Sequence, residues 1–142
     1  MSEYVSSVKK IEANADEVFA VLSDLENISR VKDMIPEDKV KDLTFTSDAV
    51  KFKVDGLGQR VGIRIVERDP YSTIKFSGEN IPMEVNFWIQ LKQVAENDTR
   101  IKLTLRAELP MMFKMMLDNK LKVGIEQAAE YLSKFPYKTW QK

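Results

Sequence analysis

Neither cysteine nor histidine occurs in this sequence of 142 residues. Without cysteine, the chain can form no disulfide, thiolate nucleophile or thiolate metal site. Without histidine, it has no Ser-His-Asp or Cys-His mechanism, and it lacks the commonest ligand of transition metals. Acid–base catalysis would have to come from carboxylates, tyrosine or lysine with pKa values shifted by their surroundings. We therefore expect no metal and no cofactor, and we favour a non-enzymatic protein over an enzyme.

An excess of charge of either sign is also missing, because 22 Lys and Arg residues balance 22 Asp and Glu residues. Nucleic-acid binding relies on clustered cationic side chains, so we expect no nucleic-acid partner. No apolar run approaches the roughly 20 residues that span a bilayer, and residues 1–7 lack the apolar segment of a signal peptide. These features favour a cytoplasmic protein without an integral membrane segment. The length fits a single domain over residues 1–142.

The first quarter of the chain carries one strand pattern and two helix patterns. Residues 3–11 are rich in Val, Ser and Tyr, which favours a strand. Asn14 and Glu17 have the spacing of a capping box, in which each side chain bonds to a backbone amide near the start of a helix. Apolar residues then recur at helical spacing, which predicts a helix over 15–25 and a second short helix over 27–35.

From residue 39 to 109, apolar residues alternate with polar ones, which is the period of a strand with one covered face. Six such runs are separated by turn signals, for example at residues 56–58 and 97–98. Pro110 then opens a long helix to about Lys134, and the predicted apolar stripe of this helix includes Gly124 and Ala128. We expect residues 136–142 to form a flexible tail.

Residues 14–24, with the sequence Asn-Ala-Asp-Glu-Val-Phe-Ala-Val-Leu-Ser-Asp, stand where one protein family carries its first-helix signature. Together with the order of elements, they resemble the START-like and pollen-allergen-like helix-grip superfamily, and within it bacterial polyketide cyclase/dehydrase-like proteins. The resemblance implies an α+β helix-grip fold: a curved seven-stranded antiparallel sheet, two short helices and one long C-terminal helix. It also implies a cavity between sheet and long helix for an apolar small molecule, such as a lipid, a quinone or a polyketide.

The expected walls of that cavity are the apolar face of the sheet and the start of the long helix. Small residues such as Gly124 and Ala128 would leave room between this helix and the sheet. Burial of ligand surface against such walls would drive binding. The predicted ligand-binding residues are Phe52, Val61, Ile63, Ile65, Phe76, Val85, Phe87, Ile89, Leu103, Leu105, Met112, Phe113, Met116 and Leu117.

Two other functions fit the same sequence. In the first, a cyclase- or aromatase-like enzyme would use Glu67, Tyr4 or Tyr71 for acid–base catalysis. In the second, an interaction module would bind a protein or a membrane surface through the four methionines of residues 111–116, since methionine adapts to varied apolar partners. The same methionines could border the cavity entrance and control access to it. Trp88 has the parity of the wet sheet face and is a candidate contact for a homodimer.

Overall fold

The computed structural model describes residues 1–30, 40–54 and 60–140. Within these ranges, eight strands form one antiparallel sheet: β1 (Ser2–Val5), β2 (Lys9–Ile11), β3 (Val40–Phe45), β4 (Ala49–Val54), β5 (Arg60–Asp69), β6 (Thr73–Glu79), β7 (Val85–Ala95) and β8 (Asp98–Ala107). The α-helices are α1 (Ala15–Leu22) and α2 (Met111–Lys134), and 3-10 helices span Leu25–Arg30 and Tyr137–Trp140. The predicted turn at 56–58 and residues 31–35 of the predicted second helix lie outside the described residues.

The sheet has the order β1-β8-β7-β6-β5-β4-β3, and β2 also pairs with β8. The predicted seven strand positions are confirmed, but the first predicted strand consists of two segments. Ser6 lies at the break, where its hydroxyl accepts a hydrogen bond from the Leu103 N–H and its own N–H donates to the Leu103 carbonyl, both at 2.9 Å. A side chain thus replaces one bond of the ladder, so the strand breaks without leaving a buried donor unsatisfied.

One face of the sheet is buried, as the alternating pattern predicts. Ile74 and Phe76 in β6, Ile89 in β7, and Ile101 and Leu103 in β8 are all buried. Burying one side chain of this size contributes roughly 1.5–3 kcal/mol, so this face is a main source of stability. The sheet curves around the same face, and α1 and α2 cover its concave side.

Helix α1 begins with the predicted capping box. The Glu17 carboxylate accepts a hydrogen bond from the Asn14 backbone N–H at 2.9 Å. This bond pairs a backbone donor that the helix itself leaves without an acceptor. The Asn14 side-chain oxygen also accepts from the backbone N–H of Asn97 at 2.8 Å, in the turn between β7 and β8. The cap therefore fixes α1 to the sheet as well as starting the helix.

Helix α2 crosses the concave face and is tied to the first two strands. The Tyr4 hydroxyl of β1 donates to an Asp118 carboxylate oxygen at 2.8 Å. Lys9 Nζ of β2 lies 3.1 Å from a carboxylate oxygen of Glu130, about three turns further along the helix. Among the described residues, no helix is both long and apolar enough to cross a membrane.

The predicted apolar stripe of α2 is wrong at Gly124 and Ala128, whereas its members Leu132 and Phe135 do pack against the core. Gly124 and Ala128 are exposed, whereas Ile125 and Ala129 are buried. Each buried residue directly follows an exposed one, so the covered face in this part of the helix lies on the side of Ile125 and Ala129. The physical reason is that the large Ile125 side chain gains more from burial than glycine, which has no side chain to bury.

Part of the segment predicted to be a flexible tail, residues 137–140, forms a 3-10 helix. Tyr137 is buried, and its hydroxyl donates to the Leu132 carbonyl in the last turn of α2 at 2.7 Å. Lys138 Nζ donates to a Glu17 carboxylate oxygen in α1 at 2.9 Å. These contacts join the C-terminal segment to both helices.

Candidate functional site

An apolar cavity of about 220 Å³ lies between the sheet, α1 and the C-terminal end of α2. Sheet residues form its floor, and its walls come from both α-helices and from the two 3-10 helices. Because these segments are far apart in sequence, only the folded chain brings them together. The lining residues are Val21, Leu22, Asp24, Leu25, Asn27, Ile63, Phe76, Phe87, Ile89, Tyr131, Leu132, Phe135 and Trp140.

Aromatic rings form much of the cavity wall. The ring centroid of Phe135 lies 4.7 Å from that of Trp140 and 6.2 Å from that of Tyr131. In the sheet, Phe76 and Phe87 are paired across β6 and β7, with centroids 5.7 Å apart. Tilted ring pairs at such distances attract each other beyond the effect of their buried area. The walls are therefore held in place by ring contacts and suit a planar apolar molecule.

Asp24 and Asn27 are polar side chains that line the same cavity. Asn27 Nδ2 donates to the Val21 carbonyl at 2.8 Å, at the C-terminal end of α1. Asp24 Oδ1 accepts from the backbone N–H of Glu26 at 3.0 Å. Both side chains are thus held where α1 leads into the first 3-10 helix. In the part of the chain that the structure describes, no group of three or more acidic side chains is arranged to hold a metal ion.

Solved structures of other proteins share this architecture. The di-domain ARO/CYC protein BexL from the BE-7585A biosynthetic pathway is 16% identical, with a TM-score of 0.68 over 94% of this chain and 45% of that chain. Norcoclaurine synthase from Thalictrum flavum, in complex with dopamine and hydroxybenzaldehyde, is 13% identical, with a TM-score of 0.70 over 99% and 90% of the two chains. The chain has the helix-grip fold.

A conserved protein from Geobacillus kaustophilus has the same helix-grip fold, with 20% identity and a TM-score of 0.62 over 93% of this chain and 92% of that chain. The chain spans less than half of the di-domain BexL. No protein-family model and no curated protein matches the sequence. The structural likeness nevertheless confirms the fold that the sequence resemblance to the START-like and pollen-allergen-like proteins implies.

The helix-grip sheet places four predicted ligand-binding residues on the cavity, namely Ile63, Phe76, Phe87 and Ile89. The other ten do not line it. Of those, Val61, Ile65 and Leu103 are in the buried core, Phe52 and Leu105 pack against that core, Val85 and Leu117 are half-buried, and Met112, Phe113 and Met116 are exposed. The cavity therefore occupies one part of the predicted sheet face.

Sequence reasoning missed the walls that α1 and the C-terminal segment contribute. Val21 and Leu22 come from α1, whereas Leu132 and Trp140 come from the end of the chain. A signal was present in the sequence, since residues 131–140 contain four aromatic side chains and disordered segments contain few aromatic residues. The contact between α1 and this segment brings the two together as walls of the cavity, and no local sequence pattern predicts such a contact.

The methionine-rich start of α2 lies away from the cavity. Met112 and Met116 are 73% and 64% exposed. Tyr131, the first cavity residue of α2, follows Met116 by about 15 residues, which corresponds to roughly 22 Å of helix. The methionines and the cavity are therefore at opposite ends of α2.

The three candidate acid–base residues also lie outside the cavity. Glu67 is exposed because β5 bulges between Ile65 and Glu67, and this irregularity shifts the alternation that predicted an inward side chain. Tyr71 is exposed in the turn that follows β5. Tyr4 is buried between β1 and α2, where burial and its hydrogen bond to Asp118 raise the pKa of its hydroxyl.

Trp88 lies on the outer face of the sheet, as its parity predicts. Lys75 Nζ is 5.4 Å from the centre of its ring, and the Arg106 guanidinium carbon is 5.7 Å from the same centre. Cations at these distances are attracted to the indole face and cover part of it. Trp88 is therefore half-buried by its own neighbours, and its role as a homodimer contact stays a prediction.

Proposed function

We propose that this protein binds a small, ring-containing apolar molecule in the cavity between the sheet, α1 and the end of α2. The observation that supports the proposal is the cavity itself, and among the described residues its lining is apolar apart from Asp24, Asn27 and the polar atoms of Tyr131 and Trp140. A volume of about 220 Å³ also limits the size of the occupant. An apolar cavity of about 150 Å³ holds benzene, so this one has room for a substituted single ring rather than a long lipid chain.

Two structural neighbours are consistent with a ring-shaped ligand. Norcoclaurine synthase was solved with dopamine and hydroxybenzaldehyde, which are both single-ring compounds, and BexL is described as an ARO/CYC protein of a biosynthetic pathway. We favour binding over catalysis for this chain because Glu67, Tyr4 and Tyr71 all lie away from the cavity. A cyclase-like reaction there would have to use the two titratable lining residues, Asp24 and Tyr131.

The expected affinity is modest. Burying about 200 Å² of ring surface contributes roughly 5 kcal/mol before the cost of association is subtracted. A free energy of about 5 kcal/mol corresponds to a dissociation constant of about 0.2 mM, so the cost of association leaves an expected constant in the millimolar range. The appropriate assay is therefore one that detects weak binding, such as chemical-shift titration of the labelled protein or saturation-transfer NMR observed on the ligand.

The test is to fill the cavity and compare the binding of ethylbenzene. Leu132→Trp adds volume to a lining side chain, and Leu117→Trp makes the same change at a half-buried position of α2 that does not line the cavity. We expect the wild type and Leu117→Trp to bind equally, and Leu132→Trp to lose at least about tenfold in affinity. Absence of binding to the folded wild type, or equal binding by both variants, would contradict the proposal.

A further inference from the structure

The first two turns of α2 expose five large apolar side chains, which we call the methionine cluster. Met111, Met112, Met115 and Met116 are between 64% and 79% exposed, and Phe113 is 45% exposed. Monomeric soluble proteins rarely expose large contiguous apolar patches, and such patches mark sites of contact with a protein or a membrane. The methionine cluster is therefore a contact surface, at the opposite end of α2 from the cavity.

The methionine cluster covers more of the helix circumference than packing against one protein surface requires. At about 100° per residue, its five side chains spread over about 200° of the circumference, from Met111 to Phe113. A helix that packs against one neighbouring element needs an apolar stripe about 100° wide. A single partner helix or sheet would thus leave part of the cluster exposed. A fluid apolar medium that surrounds the helix end can cover all of it.

The charged side chains beside the cluster are mainly basic. The first half of α2 contains three lysines and one aspartate. That aspartate, Asp118, accepts from the Tyr4 hydroxyl at 2.8 Å and pairs with Lys122 at 3.2 Å. Within the described residues, neither Lys114 nor Lys120 forms an ion pair. The first turn of α2 also lacks an acidic side chain that would neutralise the partial positive charge of a helix N-terminus.

The acidic residues that precede α2 belong to the other side of the sheet. Glu108 N–H donates to the Glu84 carbonyl at 2.9 Å, which continues the ladder between β7 and β8 by one row. Both glutamates therefore have the parity of the outer face, together with Asn86 and Arg106. A carboxylate oxygen of Glu84 accepts from the Asn86 side-chain amide at 3.2 Å on that face. The start of α2, on the concave side, is thus complementary to an anionic surface.

We infer that the methionine cluster inserts into the surface of an anionic lipid bilayer, while Lys114 and Lys120 contact the lipid phosphates. The inference is independent of the proposed cavity ligand. Residues 111–116 rise about 8 Å along the helix axis, which matches the 5–10 Å depth that interfacial apolar side chains reach. Flexible methionine side chains adapt to disordered acyl chains, and lysine stems can lie along apolar surface while their charged ends reach the headgroups.

Flotation of the full chain with lipid vesicles tests the inference. One set of vesicles is phosphatidylcholine alone, and the other is a mixture of phosphatidylcholine and phosphatidylglycerol. We expect at least about tenfold tighter binding to the mixture, because each lysine near an anionic membrane contributes about fivefold. Added salt should reduce this preference. Equal binding to both vesicles would overturn the inference. The same holds if the protein floats with neither, which would leave the cluster to a protein partner.

Met116→Gln and Val123→Gln form a matched pair for the position of the contact. Both residues are exposed, at 64% and 47%, and they lie on the same side of α2, about 20° apart. Val123 is about 10 Å further from the helix start. We expect Met116→Gln to lose at least about fivefold in vesicle binding and Val123→Gln to bind like the wild type. Equal losses would indicate contact along the whole helix and contradict insertion of its end. Far-UV circular dichroism checks that both variants are folded.

Replacing Lys114 and Lys120 together by glutamine tests the role of charge. This variant should lose the preference for the anionic vesicles and keep weak binding to phosphatidylcholine. The control is the same double change at Lys92 and Lys102 on the outer sheet face, which should retain the preference. If both double variants lose it equally, net charge rather than the start of α2 is responsible and the inference is wrong. Sedimentation equilibrium covers the remaining alternative: a wild-type dimer that Met116→Gln dissociates would assign the cluster to a subunit interface instead.

Discussion

Replacing Tyr137 by phenylalanine should destabilise this protein through the loss of one hydrogen bond. In an α-helix each carbonyl accepts from the N–H four residues later, so the Leu132 carbonyl would bond to residue 136. That residue is Pro136, which has no N–H. The Tyr137 hydroxyl supplies the missing donor at 2.7 Å, and the residue is only 1% exposed. Water is therefore a poor replacement for this donor.

The magnitude follows from what each variant removes. Tyr137→Phe keeps the buried ring and leaves the Leu132 carbonyl without its donor, which should cost about 1–3 kcal/mol. For a chain of this length, that corresponds to a fall of about 3–10 °C in Tm. Tyr137→Ala also removes the ring and should cost about 3–5 kcal/mol. Urea unfolding followed by far-UV circular dichroism measures both values.

The matched control is Tyr71→Phe, which removes a hydroxyl from an exposed tyrosine. Its stability should stay within about 0.5 kcal/mol of the wild type. If Tyr137→Phe is also that close to the wild type while Tyr137→Ala loses several kcal/mol, the ring alone anchors the C-terminal segment. The argument from the missing proline N–H would then be refuted.

Three further predictions concern other parts of the molecule. Gly124→Ala should stabilise the protein by about 0.5–1 kcal/mol, because the added methyl group meets nothing within 4 Å and the residue is in a helix interior. Gly62→Ala should destabilise it by about 1–3 kcal/mol, because the methyl group would collide with the Val50 carbonyl oxygen. Thermal unfolding of the two variants checks both signs. The hydrogen bond from the Asn14 N–H and the nearby Lys138 ammonium hold the pKa of Glu17 below its ordinary value of 4.5. The ionised Glu17 therefore stabilises the folded protein above pH 4.5, and this contribution disappears as the pH falls through the lowered pKa. Urea unfolding from about pH 5 to pH 3 should therefore show a steeper loss of stability for the wild type than for Glu17→Gln.

Local patterns in the sequence predicted much of the fold. The Asn14 and Glu17 spacing identified the start of α1, because capping depends only on residues within one helical turn. The alternation over residues 85–107 identified β7 and β8 with their turn, because a hairpin pairs residues that are close in the chain. In both cases the contacts are local, so the sequence near them carries the whole signal.

The features that could not be predicted depend on contacts between distant segments. The bulge after Ile65 places Glu67 on the surface, and an inserted residue in one strand shows only in the register with its partner. The orientation of α2 depends on which side chains fill the concave face, so Ile125 rather than Gly124 is buried. The cavity needs both α1 and Trp140, whose positions relative to each other are set by tertiary packing alone.

The pairing of β1 with β8 has a consequence for how the chain folds as it is made. Ser2 pairs with Ala107, so the first strand has no partner until more than a hundred residues have been synthesised. At about 5–20 residues per second, this wait lasts roughly 5–20 s, during which the β7–β8 hairpin has not yet formed. An unpaired strand is then open to association with other nascent chains. Lys9 and Lys10, at the start of the neighbouring strand β2, place like charges close to this segment, and such charges disfavour pairing between two copies of it.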